Sequence, residues 1–285
     1  MSALPTVVVP VHNALDALDA CLASLDRTLP AGAKVLVADD HSSDPRIAPM
    51  IESWCARTKL AARHVRRARN LGFPANCNAA LADTGDDDVV LLNSDTLTTA
   101  GWLQQIARCA ASDPRIATIT PWSNNAEICS FPRFCENNPV PDQPDALAEA
   151  AAGMAPVLYP ELPTAVGFCM FVRREALRRI GGFDAETFGR GYGEENDFCL
   201  RAAAMGWRNV LCETAYVVHL GGASFGPLDM APGGENLERL LARWPDYNER
   251  IARFIMADPL APLRLRLIDR LQALAASGPQ RDLFG

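Results

Sequence analysis

Lysine is almost absent: Lys34 and Lys59 stand against twenty-five arginines among the 27 basic residues of this 285-residue chain. The bias runs the whole length, so it reads as genome composition before it reads as phosphate recognition. A positive balance is missing too. With 34 acidic residues the formal charge is -7, which excludes the basic face of a non-specific nucleic-acid binder. The nine cysteines contain no CxxC pair, and an odd, scattered set reads as thiols of a reducing compartment rather than a disulfide framework. No apolar run reaches about 18 residues, so no membrane-spanning helix is expected. Met1 to Val11 offers neither a basic n-region nor a small-residue cleavage site, so no secretory leader is expected. Together these absences point to a cytoplasmic location.

What is present is ordinary globular material, 49% hydrophobic and 21% charged, enough for one large domain or two small ones. Short β-branched or leucine-rich runs at Thr6–Val11, Lys34–Ala38 and Val89–Leu92 alternate with helical spacing over Leu15–Leu25, Ile47–Trp54 and Asn76–Ala82. This alternation predicts βαβ units around a mostly parallel sheet buried on both faces. Each run ends in polar residues: His12-Asn13, Asp39-Asp40-His41-Ser42-Ser43-Asp44 and Asn93-Ser94-Asp95. Sheets of this kind bind ligands beyond the carboxyl ends of their strands, so three such ends on one rim suggest a nucleotide-sized site. Further on, Gly167–Val172 reads as a strand and Arg174–Ile180 as a short helix. Between them and the early units, the proline-rich stretch Asn137–Pro163, with a helix over Asp145–Ala152, reads as an excursion across the surface.

The ordered set of blocks resembles glycosyltransferase family 2, over about residues 5 to 226. The carriers are Val7-Val8-Val9-Pro10-Val11-His12-Asn13, Val37 through Asp44, Asn70-Leu71-Gly72-Phe73 through Asn78, and Leu92-Asn93-Ser94-Asp95-Thr96. Gly181-Gly182-Phe183-Asp184, Gly193-Glu194-Glu195-Asn196-Asp197-Phe198-Cys199-Leu200-Arg201 and Val218-His219-Leu220-Gly221-Gly222-Ala223-Ser224-Phe225 follow in order. Within the family the chain looks most like bacterial rhamnosyltransferase-like enzymes of surface polysaccharide synthesis. The resemblance implies a GT-A fold, a Rossmann-like α/β sheet flanked by helices. It further implies inverting transfer from a UDP- or dTDP-sugar to a saccharide or lipid-linked hydroxyl.

The same resemblance implies roles for individual residues. Pro10, His12, Asn13, Asn70, Asn93 and Ser94 would contact the donor, with Asp39 accepting from the N3–H of a uracil or thymine ring. An ionised carboxylate suits that contact because it only accepts. Asp95, with His219, would ligate Mn²⁺ or Mg²⁺, hard ions that take oxygen ligands and, for Mn²⁺, imidazole. Asn93 stands where the family has an aspartate, so it would supply a neutral oxygen at best. Glu195 would be the general base, although the family usually has the shorter aspartate there. Glu194 would bind acceptor hydroxyls or orient the loop, with Tyr192 at the acceptor; the glycines themselves, Gly189, Gly191 and Gly193, make a flexible approach able to close over the donor. Asp197 has a structural reading, since Arg201 lies one helical turn on.

The catalytic domain is expected over residues 1–230, followed by a helical extension over 231–285. Leu237, Leu240, Leu241 and Trp244 share one face of that tail; Leu263, Leu267, Leu271 and Leu274 share another beside Arg264, Arg266 and Arg270. Such faces pack on the catalytic domain or on a second copy, and a basic amphipathic stretch also suits peripheral contact with an anionic membrane. Two other classes fit parts of the pattern. A sugar-phosphate nucleotidyltransferase would need a glycine-rich phosphate loop after the first strand, where Pro10-Val11-His12-Asn13 stands. A non-catalytic sugar-nucleotide binding module would keep the sheet and lose the acids.

Overall fold

Branched apolar runs form strands because their side chains fit a pleated surface that is covered on both sides. The computed structural model describes residues 3–221 and 234–277. Gly222 to Phe225 of the closing block, and the expected division after residue 230, lie outside them. The chain opens with β1 (Thr6–Val11), α1 (Leu15–Thr28), β2 (Lys34–Asp39), α2 (Ile47–Arg57), β3 (Ala61–Arg66), α3 (Phe73–Asp83) and β4 (Val89–Leu92). There follow β5 (Thr96–Thr98), α4 (Trp102–Ser112), β6 (Ile116–Trp122), α5 (Pro144–Ala152), β7 (Cys169–Val172) and α6 (Arg174–Ile180). The remainder is α7 (Ala185–Phe188), α8 (Glu194–Ala204), β8 (Arg208–His219), α9 (Gly234–Arg243), α10 (Tyr247–Ala257) and α11 (Ala261–Ser277).

The eight strands form one mixed sheet in the order β3-β2-β1-β4-β7-β6-β8-β5. The first four strands run parallel, whereas β7 runs antiparallel to both β4 and β6. From β1 the chain steps outward through β2 to β3, then returns to place β4 on the other side of β1. That reversal opens a crevice at the carboxyl ends of β1 and β4, where an open α/β sheet binds ligands. Side chains alternate across the sheet. Val35 and Val37 face the larger core with α1, α2 and α4, while Leu36 and Ala38 face a second core with Cys77 and Ala80 of α3 and Phe198 of α8.

Two segments differ from the sequence expectation. The runs named above leave no strand between Trp54 and Asn76, yet Ala61–Arg66 pairs in parallel with β2. As an edge strand it has no apolar run to betray it, because one side of its ladder meets solvent. The proline-rich excursion is not confined to the surface. Leu147, Ala148, Ala150 and Ala151 of α5 join the main core, and α11 covers α5, with Arg270 donating to the Ala150 carbonyl at 3.0 Å. Leu263 and Leu267 of α11 are buried there, so this leucine face packs on the body of the protein. All nine cysteines are free. Among the described residues no helix is long and apolar enough to cross a membrane.

Candidate active site

The carboxyl ends of β1, β2 and β4 border a cleft of about 110 Å³ that opens to solvent, at the edge where an open α/β sheet binds ligands. Pro10, Val11 and His12 come from β1 and its end, Asp40 from the end of β2, and Asn93 and Ser94 from the end of β4. Asn70, Gly72, Phe73 and Asn76 close one side, and Arg190 reaches in from the glycine-rich loop. A carbonyl can only accept, so His12 donates Nδ1–H to the Asp40 carbonyl at 3.2 Å; its Nε2 is then left to accept from Asn70 Nδ2 at 3.2 Å. Asn13 sits beneath this rim rather than in it. Its side-chain oxygen accepts from the Ser43 and Asp44 amides, both at 3.0 Å, tying the β1 and β2 loops together.

The pleat separates Asp39 from Asp40. Asp39 follows Val35 and Val37 to the α1–α2 face and is fully buried, accepting from the Ser42 amide at 2.8 Å. Burial raises its pKa, but His64, Ser42 and Arg66 together outweigh that and hold it below the usual carboxylate value. Asp40 follows Ala38 to the other face and lines the cleft. Its two oxygens accept from the Leu71 and Gly72 amides at 2.7 and 2.9 Å, leaving further lone pairs on each. There burial wins over those amides and pushes its pKa up.

Asp95 and His219 meet beside the cleft, with Oδ1 and Nε2 3.5 Å apart. β5 pairs antiparallel with β8, setting Thr96 opposite His219 and so placing Asp95 next to the ring. His219 Nδ1 donates to the Asn125 carbonyl at 2.6 Å, and the ring stacks on Phe168 with centroids 5.2 Å apart. Asn124 fixes the His219 backbone from both sides, accepting its amide at 2.9 Å and donating to its carbonyl at 3.0 Å. With Nδ1–H committed, a neutral ring directs its Nε2 lone pair toward the Asp95 carboxylate. Burial lowers the pKa of His219, yet the hydrogen bond and charge of Asp95 raise it overall. One carboxylate oxygen and one imidazole nitrogen converging in this way form a donor pair that fits Mn²⁺. Among the described residues no group of three or more His, Cys, Asp and Glu side chains converges, so further ligands would have to come from other oxygens.

Glu194 and Glu195 begin α8. Glu194 is buried, and neither Glu194 Oε2 nor Glu195 Oε2 has a hydrogen-bond partner. Desolvation raises both carboxyls. Glu194 is pushed well up, with the charge of Glu195 adding to the effect. Glu195 is raised to about 7 by burial, against the lowering pull of the Glu195 and Gly193 amides and with a further push from Glu127. Helix-start amides alone would have favoured the ionised form; burial outweighs them here. A Cβ at Gly167 would lie 3.8 Å from Glu195, so the acid sits over the turn into β7. The next residue, Phe168, stacks on His219 and accepts the Asn93 amide at 2.8 Å. The Gly167–Phe168 turn therefore joins the acids to the Asp95–His219 pair and to the cleft.

The loop leading to the acids has positive φ at Gly189, Gly191, Tyr192 and Gly193, values of 57°, 135°, 68° and 101°. It packs on Gly72, whose own φ is 85° with ψ 157°. A Cβ at Gly72 would come within 3.0 Å of the Gly189 carbonyl oxygen and 3.4 Å of Arg190 Cα. Gly72→Ala is therefore expected to cost about 1–3 kcal/mol, the usual penalty for an L-residue held in a glycine-only region. It should also displace Arg190 from the cleft. Thermal unfolding checks the first effect and nucleotide titration the second; an unchanged affinity would separate the loop from the cleft.

Asp197 is fully buried and has three partners. Arg201 Nε donates to Oδ2 at 2.8 Å, while Arg243 Nη1 and Trp244 Nε1 donate to Oδ1 at 2.9 and 3.0 Å. Arg201 was legible one helical turn away. Arg243 and Trp244, forty-six and forty-seven positions later, carried no local signal. Asp40 and Arg190 were also left outside the site by sequence reasoning. A strict two-residue alternation along β2 separates Asp40 from Asp39, but only the placement of α3 says which face holds the cleft. Arg69, the last basic residue before Asn70, is exposed and is not among the cleft's lining residues.

The sequence model of glycosyl transferase family 2 matches residues 6–181. A pre-mycofactocin glycosyltransferase of Mycobacterium tuberculosis is 31% identical over 221 residues, covering 75% of this chain and 42% of that protein. An N-acetylglucosaminyl-diphospho-decaprenol L-rhamnosyltransferase of the same organism is 25% identical over 240 residues, covering 76% and 75%. The chain thus spans less than half of the first relative and three quarters of the second. Among solved structures, GalNAc-T7 with UDP, GalNAc and Mn²⁺ aligns with a TM-score of 0.62 at 15% identity, over 86% of this chain and 50% of that one. The mannosyltransferase PcManGT from Pyrobaculum calidifontis, in complex with GDP-Man and Mn²⁺, aligns at 0.56 and 20% identity, over 98% and 77%.

Proposed function

The chain belongs to glycosyl transferase family 2 and has the GT-A fold, and from that premise we propose that it moves a sugar from a nucleoside diphosphate donor to an acceptor hydroxyl. The observation that carries this reading is the acid pair of buried Glu194 and half-buried Glu195 joined, through Gly167–Phe168, to the cleft at the sheet's switch point. Residues 1–230 act as the catalytic domain, and 231–285 as a helical extension.

The donor's base lies against His12 and Asp40, which takes the acceptor role toward N3–H in place of the buried Asp39. Arg190, with Asn93 and Ser94, faces the diphosphate. Asp95 and His219 would hold Mn²⁺ or Mg²⁺, which when bound neutralises charge on a departing diphosphate. Glu195 removes the proton of the acceptor hydroxyl. That oxygen attacks the anomeric carbon as the bond to the diphosphate oxygen breaks, inverting the centre in one displacement with no enzyme nucleophile. Glu194, its carboxyl pushed up by burial beside Glu195, meets an acceptor hydroxyl, with Tyr192 at the same wall. The similarity to a decaprenol-linked rhamnosyltransferase supports a saccharide on a lipid diphosphate as acceptor, and a dTDP- or UDP-sugar as donor. Such an acceptor would bring the protein to the cytoplasmic face of a membrane.

Calorimetric titration with UDP, dTDP, GDP and CDP, with and without Mn²⁺, tests the reading. One nucleotide should bind with metal-dependent affinity. Asp40→Asn should weaken it by about 10–100-fold, the worth of a hydrogen bond to a charged group. No binding of any of the four would overturn the transferase reading; binding without turnover on lipid-linked saccharides would favour a binding module.

A further inference from the structure

Helix α9 lies beyond the residues that the family model matches, yet its polar side chains reach the loop that carries the acids. Asn236 Nδ2 donates to two loop carbonyls, Phe188 at 3.0 Å and Gly191 at 2.6 Å. Arg243 bridges two carboxylates, Asp184 through Nη2 at 2.8 Å and Asp197 through Nη1 at 2.9 Å. Trp244 Nε1 donates to the same oxygen of Asp197 at 3.0 Å. Beneath these contacts Leu240 is buried with Phe188 and Leu200, and Trp244 packs on that cluster.

We propose that α9 is a positioning element for the acids, in which Asn236 and Arg243 fix the 188–193 loop and the start of α8 so that Glu195 is held at the acceptor. The physical need for it lies in the loop itself. Four of its five residues from Gly189 to Gly193 have positive φ, and three of these are glycines, the residue with most freedom to lose on ordering. A segment of that composition does not hold a carboxylate in one place unaided. Its carbonyls at Phe188 and Gly191 are satisfied by Asn236, and the first turn of the following helix is anchored through Asp197. The second anchor, Asp184, stands on the near side of the loop, so one guanidinium spans both of its ends. Arginine suits that task because its planar fork presents two donors in fixed directions. Positioning of this kind is worth a large factor in rate, since small displacements of a reacting group are costly.

The inference rests on Glu195 being the base, and the test keeps the two apart. Hydrogen exchange needs no donor or acceptor. In Asn236→Ala the amides of residues 188–195 should exchange about tenfold faster or more, with protection in β1, β2 and β4 unchanged. Turnover, measured with whichever nucleotide sugar the titration identifies, should fall in kcat with little change in KM for the donor. Its pH limb should move down toward the ordinary glutamate range as water reaches Glu195. Arg243→Lys should restore part of what Arg243→Met loses, because one ammonium can reach only one of the two carboxylates at a time. If Arg243→Met fails to fold, the half-buried Asn236 still gives the answer. Unchanged exchange over 188–195 together with an unchanged pH limb in Asn236→Ala would overturn the proposal. Full turnover by Glu195→Gln would instead remove the premise beneath it.

Discussion

Glu195→Gln is expected to lower kcat by about 10²–10⁴-fold, the usual worth of a general base, while nucleotide affinity stays unchanged. The amide keeps the volume of the side chain and removes its ability to take a proton. Glu195 is not among the residues that line the cleft at the ends of β1 and β2, so nucleotide binding there should not register the change. The raised pKa gives the expectation a second arm. With burial pushing Glu195 to about 7, the wild-type rate should climb with pH through that value and then level, because only the ionised form accepts the acceptor's proton. Stability should run the other way. The folded chain holds this proton more tightly than the unfolded chain, so between the ordinary glutamate value and about 7 it binds more protons. The favourable contribution is complete at low pH and is lost as pH rises through about 7. Glu195→Gln should therefore flatten both profiles. A kcat–pH curve that keeps its limb in the variant would assign the base elsewhere.

Asp95→Asn should remove the metal-dependent part of nucleotide binding, a loss of at least about 10²-fold. Replacing a ligand outright should cost more than the 10–100-fold typical of its outer partners. Asp95 is buried against His219, and among the described residues no third His, Cys, Asp or Glu converges there to stand in for it. Affinity measured without Mn²⁺ should be nearly unchanged if, as proposed, His12 and Asp40 of the cleft hold the other end of the ligand. His219→Ala should act in the same direction and more weakly, as it removes a neutral donor and leaves the carboxylate. Calorimetry with and without Mn²⁺ separates these effects. Equal losses in both conditions would mean that Asp95 shapes the cleft and holds no ion.

Much of the frame was legible locally. β1, β2 and β4 are buried on both faces and were visible as unbroken apolar runs, and the helices between them as spaced leucines. The Asp197–Arg201 pair was legible because one turn of helix brings those positions together whatever surrounds them. By contrast β3 escaped because an edge strand half open to water can be built from arginine and alanine. The α5 segment looked like surface because prolines surround it, although Leu147, Ala148, Ala150 and Ala151 are buried in the main core.

The order of the elements, the polar residues at each strand end and the acids at the head of α8 were readable along the chain. Each follows from a period of two or 3.6 residues and from neighbours within one turn. That Asp40 rather than Asp39 lines the cleft took the packed fold to show, since alternation names two faces without saying which one α3 leaves open. The same packing decides that burial outweighs the helix start at Glu195, because desolvation depends on what distant segments lay over a side chain. The approach of α9 to the acid loop belongs to the same class. Asn236, Arg243 and Trp244 meet residues more than forty positions away, and no local period encodes a contact between segments that far apart.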